Sequence, residues 1–415
     1  MIKLFTSTFL LFFLTTFSCC QQSQELKTVN FGDEIFIEKH LDIVKGRQVG
    51  IVTNQTGVLS NGVSIIDTLV KLGINVTAIF GLEHGFIGNF AAGENIENYT
   101  DKKTGIPVYS LYGWNKKPTK ESFENIEIIL FDVQDIGARF YTYISTLFYV
   151  LQSAAENRVK VIILDRPNPI GGNYVDGPVL DTNFSSFIGI APLPVTHGLT
   201  VGEVANLFVG ENYISSKENP SLEVIKCEGW KRSYFWDNFS ENWIPTSPNI
   251  PDFKTAFVYP GTCFLEGTNI SEGRGTDSPF LTIGAPFIDP KLLIDKLNSN
   301  KIEGVKFTRI SFTPEDIQEK SRNTKYRQIQ CNGIRTCITN EEKFKSVQFG
   351  VYLLSALIKL YPEQFKFEKN RFDLLAGKEK LRKQLLEGVD PVKIINGWQD
   401  DLDKFQSIRK KYLLY

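Results

Sequence analysis

The sequence predicts an α/β fold, with a Rossmann-like, doubly wound, mostly parallel sheet followed by a smaller C-terminal α+β auxiliary domain. Short, continuously apolar runs recur from about residue 45, segments of helical period separate them, and the pattern changes from about residue 290. Continuous apolar strands with helices between them are typical of a parallel sheet that is covered on both faces. A chain of 415 residues with 42% hydrophobic content is long enough for two compact domains.

The predicted elements follow from this pattern in chain order. In the first domain we expect strands at 49–53, 75–80, 126–131 and 159–164 and helices at 65–72 and 140–157. After the change of pattern we expect helices at 290–298, 344–361 and from 399, and a strand at 305–312. The predicted domains are therefore a catalytic domain over 30–288 and an auxiliary domain over 289–415.

Polar residues follow the predicted strands, where ligands of doubly wound sheets bind. These residues are Glu83, His84, Asp132, Asp135, Asp165 and Arg166. No G-x-G-x-x-G turn follows the first strand and the sequence contains no G-x-x-x-x-G-K-[ST], so the phosphate-binding turns of nucleotide folds are missing.

The N-terminus has the features of an export signal. Lys3 precedes an apolar run over 4–17, and Ser18, Cys19 and Cys20 lead into a polar stretch. We therefore expect residues 1–20 to be a signal peptide and lipoprotein anchor, with Cys19 or Cys20 lipidated. An ordinary cleaved signal is the alternative. If the anchor is present, we expect a periplasmic or cell-surface protein that touches the membrane only through its N-terminal anchor.

Charge and cysteine content narrow the class of protein further. The formal net charge of −1 gives no support for a nucleic-acid partner, which normally requires a basic surface. Cys227, Cys263, Cys331 and Cys337 have no zinc-site spacing. Cys331 and Cys337 are close enough in sequence to form a small disulfide loop in an oxidising compartment.

Four glycine- and proline-rich segments contain the candidate site residues. Glu83 and His84 lie between glycines that let the backbone approach a ligand, although both side chains can equally serve the loop backbone. Arg139 either contacts a ligand or pairs with Asp132 or Asp135. Asp165 either takes part in the site or braces a turn that prolines make rigid. His197 is free to face a ligand, whereas Glu203 belongs to a helix capping box that begins at Thr200.

A fifth segment covers 247–251 and 259–276. Two acids, Glu266 and Glu272, and the basic Arg274 lie among glycines and hydroxyl residues with little apolar content, so we expect this segment to lie outside the core. It is either a long surface loop or, as we favour, one wall of a ligand site.

These residue types favour glycoside hydrolysis, in which one acid protonates the leaving oxygen and a second group supports the oxocarbenium-like transition state. The sequence has three histidines and no G-x-S-x-G nucleophile turn. A metal-dependent hydrolase built from His84, His197, Asp132 and Asp165 lacks a diagnostic spacing. That hydrolase and a non-catalytic, lipid-anchored protein that binds muropeptides or sugars remain the alternatives.

Motifs over nearly the whole mature chain resemble one family. They are residues 83–86, 92–94, 132–139, 165–169, 247–251, 266–269 and 273–275. Their order and content are similar to the exo-β-N-acetylmuramidase family of peptidoglycan hydrolases, once called domain of unknown function 1343. The resemblance implies a site in the cleft between two domains and exo-release of N-acetylmuramic acid from non-reducing ends of peptidoglycan-derived saccharides, without a cofactor or metal.

The resemblance also implies roles for individual residues. Glu83 is the expected general acid/base, and Glu266 or Glu272 the second carboxylate. The lactyl carboxylate of muramic acid calls for a cation, for which Arg139, Arg166 and Arg274 are the candidates. Substrate contacts are expected from His84, Glu94, Asp132, Gln134, Tyr141, Asp165, Asn168, His197, Asn249 and Asn269. Leu82 and Ile87 stand where the family usually has proline and arginine, which bears on sugar preference.

Overall fold

A computed structural model describes residues 26–88, 90, 91 and 93–415. The predicted signal peptide, the lipidation sites Cys19 and Cys20, and Ala92 of the first motif lie outside these residues. Within the described ranges, no helix is both long and apolar enough to cross a membrane.

The larger sheet has seven strands in the order β3-β4-β2-β1-β5-β6-β7. They are β1 (Gln48–Thr53), β2 (Asn75–Gly81), β3 (Tyr99–Thr100), β4 (Pro107–Ser110), β5 (Ile128–Asp132), β6 (Lys160–Leu164) and β7 (Leu222–Ile225). Every neighbouring pair is parallel except β3 with β4. The predicted doubly wound α/β sheet is therefore confirmed, and the central strands are buried because their aliphatic residues are covered on both faces.

Eleven α-helices belong to the described residues. They are α1 (Gly32–Ile35), α2 (Ile65–Lys71), α3 (Tyr143–Asn157), α4 (Val201–Gly210), α5 (Phe253–Thr262), α6 (Pro290–Ser299), α7 (Ser346–Leu360), α8 (Lys369–Ala376), α9 (Lys380–Leu386), α10 (Pro391–Asn396) and α11 (Gln399–Arg409). The predicted capping box is present at the start of α4, where Thr200 and Glu203 exchange hydrogen bonds with each other's backbone.

A smaller antiparallel sheet forms near the C-terminal part of the chain. Its strands are β8 (Thr282–Ala285), β9 (Val305–Phe312) and β10 (Cys331–Ile338), in the order β8-β10-β9. β8 precedes the predicted domain boundary at 288/289, whereas the other two strands of this sheet, β9 and β10, follow that boundary. Four residues within a glycine-rich stretch are too short a run to be recognised as a strand from periodicity.

The disulfide that the sequence spacing of Cys331 and Cys337 allows is not formed, because both thiols are free. The two cysteines lie on the single strand β10. Six residues of extended chain separate their Cα atoms by roughly 20 Å, far beyond the ~7 Å that a disulfide can bridge.

The expectation that 259–276 lies outside the core is also wrong for its first half. Tyr259 belongs to α5, and Cys263, Phe264 and Leu265 follow in a buried 3-10 turn. The chain packs tightly here, since a Cβ on Gly261 would meet the carbonyl oxygen of Ser346 at 1.8 Å. The apolar side chains of this segment are therefore buried in the core, whereas Glu266, Glu272 and Arg274 line the cavity that is described below.

Candidate active site

A cavity of about 380 Å³, the first cavity, lies beyond the carboxyl ends of β2, β4 and β5. Its first wall comprises Glu83, His84, Tyr112, Tyr141 and Thr142 from the loops that follow these strands. Its second wall comprises Glu266, Glu272, Arg274, Arg322, Lys325 and Arg371 from the later part of the chain. The structure thus brings together Glu83 and the predicted residues Glu266, Glu272 and Arg274 around one space.

Neutral groups hold the carboxylate of Glu83. The Thr142 hydroxyl donates to Oε2 at 2.7 Å, and the Gly93 backbone N–H lies 3.4 Å from Oε1. The Tyr112 hydroxyl also donates to Glu83, and burial, together with this carboxylate, raises the pKa of Tyr112. Within the described residues no lysine or arginine forms an ion pair with Glu83.

His84 shapes the turn that carries Glu83. Its φ is +71° and that of Gly85 is +76°, so two successive residues adopt the left-handed conformation. The ring Nδ1 lies 2.7 Å from the carbonyl oxygen of Phe90 and must carry the proton, since a carbonyl only accepts. Burial lowers the pKa of His84, so the ring is neutral near pH 7.

Cations hold the carboxylates of the second wall. Glu266 accepts from Arg274 at 2.8 Å and is in direct contact with Arg371. Burial alone would raise the pKa of Glu266, but the two guanidinium groups hold it down to about 2. Glu272 accepts from Lys325 at 3.0 Å and lies 3.5 Å from Nε of Arg274.

The first cavity carries a surplus of positive charge. Arg274, Lys320, Arg322, Lys325 and Arg371 line it against three glutamates, and Glu94 pairs with Arg322 from outside the lining, which leaves one cation more than acids. The side chain of Arg371 is 50% exposed, so it can reach a ligand while it stays paired with Glu266. An anionic group on a ligand is therefore favoured in this cavity.

Arg139 lies outside the first cavity. It is fully buried and donates to the backbone carbonyl oxygens of Pro178, Leu193 and Leu375. Neither Asp132 nor Asp135 pairs with it, and burial lowers the pKa of its guanidinium to about 9. Arg139 thus ties three separate stretches of backbone together.

Arg166 also lies away from the first cavity. Its guanidinium donates to Asp33 and Asp132 at 2.6 Å each, within the core. Burial raises the pKa of Asp33 to about 7, although Arg166 opposes the shift. Asp165 accepts from the Thr200 hydroxyl at 2.7 Å and from the Tyr415 hydroxyl at 2.7 Å, so it braces the chain.

His197, Asn168, Gln134 and Asp135 are buried within the same framework. His197 is fully buried, and burial with nearby arginines lowers its pKa to about 3. Asn168 donates to the carbonyl oxygen of Leu199 at 2.9 Å, and Gln134 donates to that of Pro167 at 2.9 Å. Burial raises the pKa of Asp135 to about 7.

Four predicted contact residues lie in or near the walls, or on the surface. Tyr141 lines the cavity and donates to the Thr246 hydroxyl at 2.9 Å. Asn249 holds the turn at the second wall by donating to the carbonyl oxygen of Lys320 at 2.7 Å. Glu94 pairs with Arg322 at 3.2 Å. Asn269 lies near the surface, where its amide donates to the carbonyl oxygen of Gln364 at 2.8 Å and links two segments of the chain.

The sequence analysis did not single out Tyr112, Thr142, Arg322, Lys325 or Arg371. Thr142 lies three residues after the motif 132–139, in the polar and aromatic stretch that continues to Tyr143, but no role was assigned to it. Arg371 has no local signal, because its partner Glu266 is 105 residues away in the chain. Across the described ranges, no group of three or more histidines, cysteines or acids is arranged to hold a metal ion.

Comparisons with known proteins agree along the chain. The protein-family model described as exo-beta-N-acetylmuramidase NamZ, N-terminal, matches residues 49–254 of this chain. The family model for the C-terminal part of NamZ matches residues 257–415. The peptidoglycan beta-N-acetylmuramidase NamZ of Bacillus subtilis (strain 168) is 41% identical over 396 residues, which cover 95% of this chain and 93% of that protein.

Two solved structures of DUF1343 family proteins from Bacteroides fragilis NCTC 9343 are similar to this chain. One has a TM-score of 0.85 at 32% identity and the other a TM-score of 0.74 at 31% identity. Each comparison covers 93% of this chain and 99% of the other protein.

Proposed function

The chain belongs to the NamZ family of exo-β-N-acetylmuramidases and is a glycosidase, and we propose that Glu83 is its general acid/base in releasing N-acetylmuramic acid from non-reducing ends of peptidoglycan fragments. The observation that supports this role is the contrast between the carboxylates of the first cavity. Glu83 is held by neutral donors, whereas Glu266 and Glu272 are paired with cations.

Glu83 donates its proton to the glycosidic oxygen as the bond to the anomeric carbon breaks, and it later takes a proton from the attacking water. The donors from Thr142, Tyr112 and Gly93 stabilise the carboxylate that forms in the first step. Within the described residues, no ion pair of Glu83 has to break when this proton moves.

The carboxylates of Glu266 and Glu272 differ in how many of their oxygens contact a cation closely. Both oxygens of Glu266 contact arginines, so we assign it to orienting Arg274 and Arg371. Oε1 of Glu272 has only a 3.5 Å contact with Arg274, and we assign this carboxylate to support the positive charge that develops on the sugar ring.

The surplus of positive charge suits a substrate that carries a carboxylate. We assign Arg371, with Arg274 beside it, to the lactyl carboxylate of N-acetylmuramic acid, since guanidinium groups bind carboxylates through two parallel hydrogen bonds. Arg139 and Arg166 are committed to buried partners and are not part of this proposal.

The experiment is mass-resolved chromatography of a MurNAc-GlcNAc disaccharide incubated with the parent protein and with Glu83→Gln. The surface variant Glu156→Gln, which changes a glutamate paired with Lys117, is the matched control. We expect free N-acetylmuramic acid from the parent and the control, and release about a thousandfold slower from Glu83→Gln. A disaccharide left intact by the parent contradicts the activity, and full release by Glu83→Gln contradicts the residue assignment.

Export and lipidation are also part of the proposal. The charged head at Lys3, the apolar run over 4–17 and the small residue Ser18 before Cys19 and Cys20 support a lipid anchor. Expression of Cys19→Ser and Cys20→Ser with labelled palmitate identifies the acceptor, because one of the two variants should lose the label. Absence of label in the parent contradicts the anchor.

A further inference from the structure

A second cavity of about 280 Å³ lies beside the same edge of the large sheet. It is formed by the loops after β1, β5 and β6, through Thr56, Gln134 and Arg166, together with Phe31, Trp236 and Glu241. Among the described residues it has no lining residue in common with the first cavity. We propose that it is a second saccharide-binding site, which takes a neutral N-acetylhexosamine segment of the glycan.

The topology of the sheet places this cavity where a doubly wound fold opens. β1 lies between β2 and β5, and the chain passes from β1 to one side of the sheet before it returns to β5 on the other. The loops after β1 and β5 therefore diverge, and such a switch point leaves a crevice at the carboxyl ends of the strands. The first cavity is lined by residues that follow β2, β4 and β5 and by none from the loop after β1.

Three lining residues each carry a buried polar atom that lacks a hydrogen-bond partner within the described part of the chain. These atoms are Oε1 of Gln134, Nε1 of Trp236 and Oε2 of Glu241. The amide nitrogen of Gln134 donates to the carbonyl oxygens of Asp135 and Pro167, which identifies the free end as the oxygen. Buried polar atoms usually have partners, so two acceptors and one donor around a cavity match sugar hydroxyl and amide groups.

The charges of the second cavity are unsuited to an anionic sugar. Its one lining cation in the described chain, Arg166, is already neutralised by Asp33 and Asp132 at 2.6 Å each. Glu34 and Glu241 add two carboxylates. A lactyl carboxylate is therefore repelled here, whereas hydroxyl and amide N–H groups find acceptors.

The apolar surface fits the carbon face of a pyranose ring. Phe31 and Trp236, with ring centroids 5.9 Å apart, supply aromatic surface in the lining. A shallow groove next to the cavity shares Trp236, Glu241 and Asn242 with its lining and adds Trp243. The choice of a glycan as occupant rests on the proposed function.

The test is isothermal titration of the Glu83→Gln protein with N-acetylated chitotetraose, which carries no lactyl group. N-acetylmuramic acid is present throughout at a saturating concentration to occupy the first cavity. We expect one saturable binding event, and Glu241→Gln added to this background should weaken it about tenfold, since a hydrogen bond to a charged acceptor is lost. Trp236→Phe keeps the ring packing and removes Nε1, and it should weaken binding severalfold.

Glu218→Gln is the matched control, because Glu218 lies on the exposed surface in a pair with Arg158. It should bind chitotetraose like the background protein. Absence of binding, or binding that Glu241→Gln and Trp236→Phe both leave unchanged, overturns the second site. This outcome is distinguishable from failure of the proposed function, since the titration needs no turnover and the parent's hydrolysis is measured separately.

Discussion

The two walls of the first cavity present glutamates in opposite electrostatic surroundings. Glu83 on the first wall receives hydrogen bonds from a threonine, a tyrosine and a backbone N–H, whereas Glu266 on the second wall contacts two arginines. This contrast is the basis for the proposal that Glu83 exchanges a proton while Glu266 remains negatively charged. The surroundings of each carboxylate, and not its presence in a motif, separate the two proposed roles.

The largest expected effect is on turnover when Glu83 loses its acidity. Glu83→Gln should lower kcat about a thousandfold, because general acid/base catalysis typically contributes 10²–10⁴. The free energy of unfolding should change little, since no ion pair is lost. Steady-state rates and urea unfolding of the same preparation measure both, and a loss of stability comparable with that of Glu266→Gln would remove the contrast between the walls.

Glu266→Gln should mainly destabilise the protein. The change leaves Arg274 and Arg371 beside each other without their shared counter-charge, and breaking a buried pair in this way costs about 3 kcal/mol. Urea unfolding at pH 7 measures the loss. Glu379→Gln, which breaks a surface pair with Lys383, is the control and should cost under about 1 kcal/mol. Equal stability of Glu266→Gln and Glu379→Gln would mean that the ion pairs of Glu266 stabilise the protein no more than a surface ion pair does.

The stabilisation by Glu266 should depend on pH in a defined direction. The pKa of Glu266 is about 2 in the folded protein and 4.5 in a free glutamate, so its stabilisation is complete above pH 4.5 and declines as the pH falls towards 2. The difference in unfolding free energy between parent and Glu266→Gln should therefore shrink over this range. A difference that stays constant from pH 6 to pH 2.5 would contradict the ion pairs.

The smallest expected effect concerns substrate binding at the exposed end of the second wall. Arg371→Gln should raise KM for the MurNAc-GlcNAc disaccharide about tenfold and change kcat little, because it removes an interaction made equally before and during the reaction. Arg371→Lys should recover part of the loss, since lysine keeps the charge without the planar pair of donors. A fall in kcat at unchanged KM would instead assign Arg371 to the chemical step.

The first wall could be predicted in part, because Glu83 and His84 are neighbours in the chain. They follow β2, and the glycines around them indicated a loop whose backbone can approach a ligand. The second wall could be predicted only in part. Glu266, Glu272 and Arg274 stood out as charged residues in a glycine-rich segment, but Arg371 comes from α8 and carries no local pattern that links it to Glu266.

Asp132, Asp165 and Arg166 show the limit of motif-based assignment. They follow strands at the edge where ligands bind, as predicted, yet their side chains turn to buried partners and support the framework. Whether a residue lies at the end of a strand depends on the neighbouring sequence, so this can be predicted. Whether the side chain faces a ligand or the core depends on which counter-charge lies within reach, and Asp33 is 133 residues from Arg166.

The sequence by itself determined the parallel sheet with its strands β1, β2, β5 and β6, the capped start of α4 and the glycine-flanked loop that carries Glu83. Hydrophobic period, capping and turn formation depend on residues a few positions apart, so they can be recognised along the chain. The tertiary structure decided which carboxylates are paired, which arginines are buried and where a second cavity opens. Ion pairing and desolvation depend on distances between segments that can lie a hundred or more residues apart, as Glu266 and Arg371 do, and these distances exist only once the chain has folded.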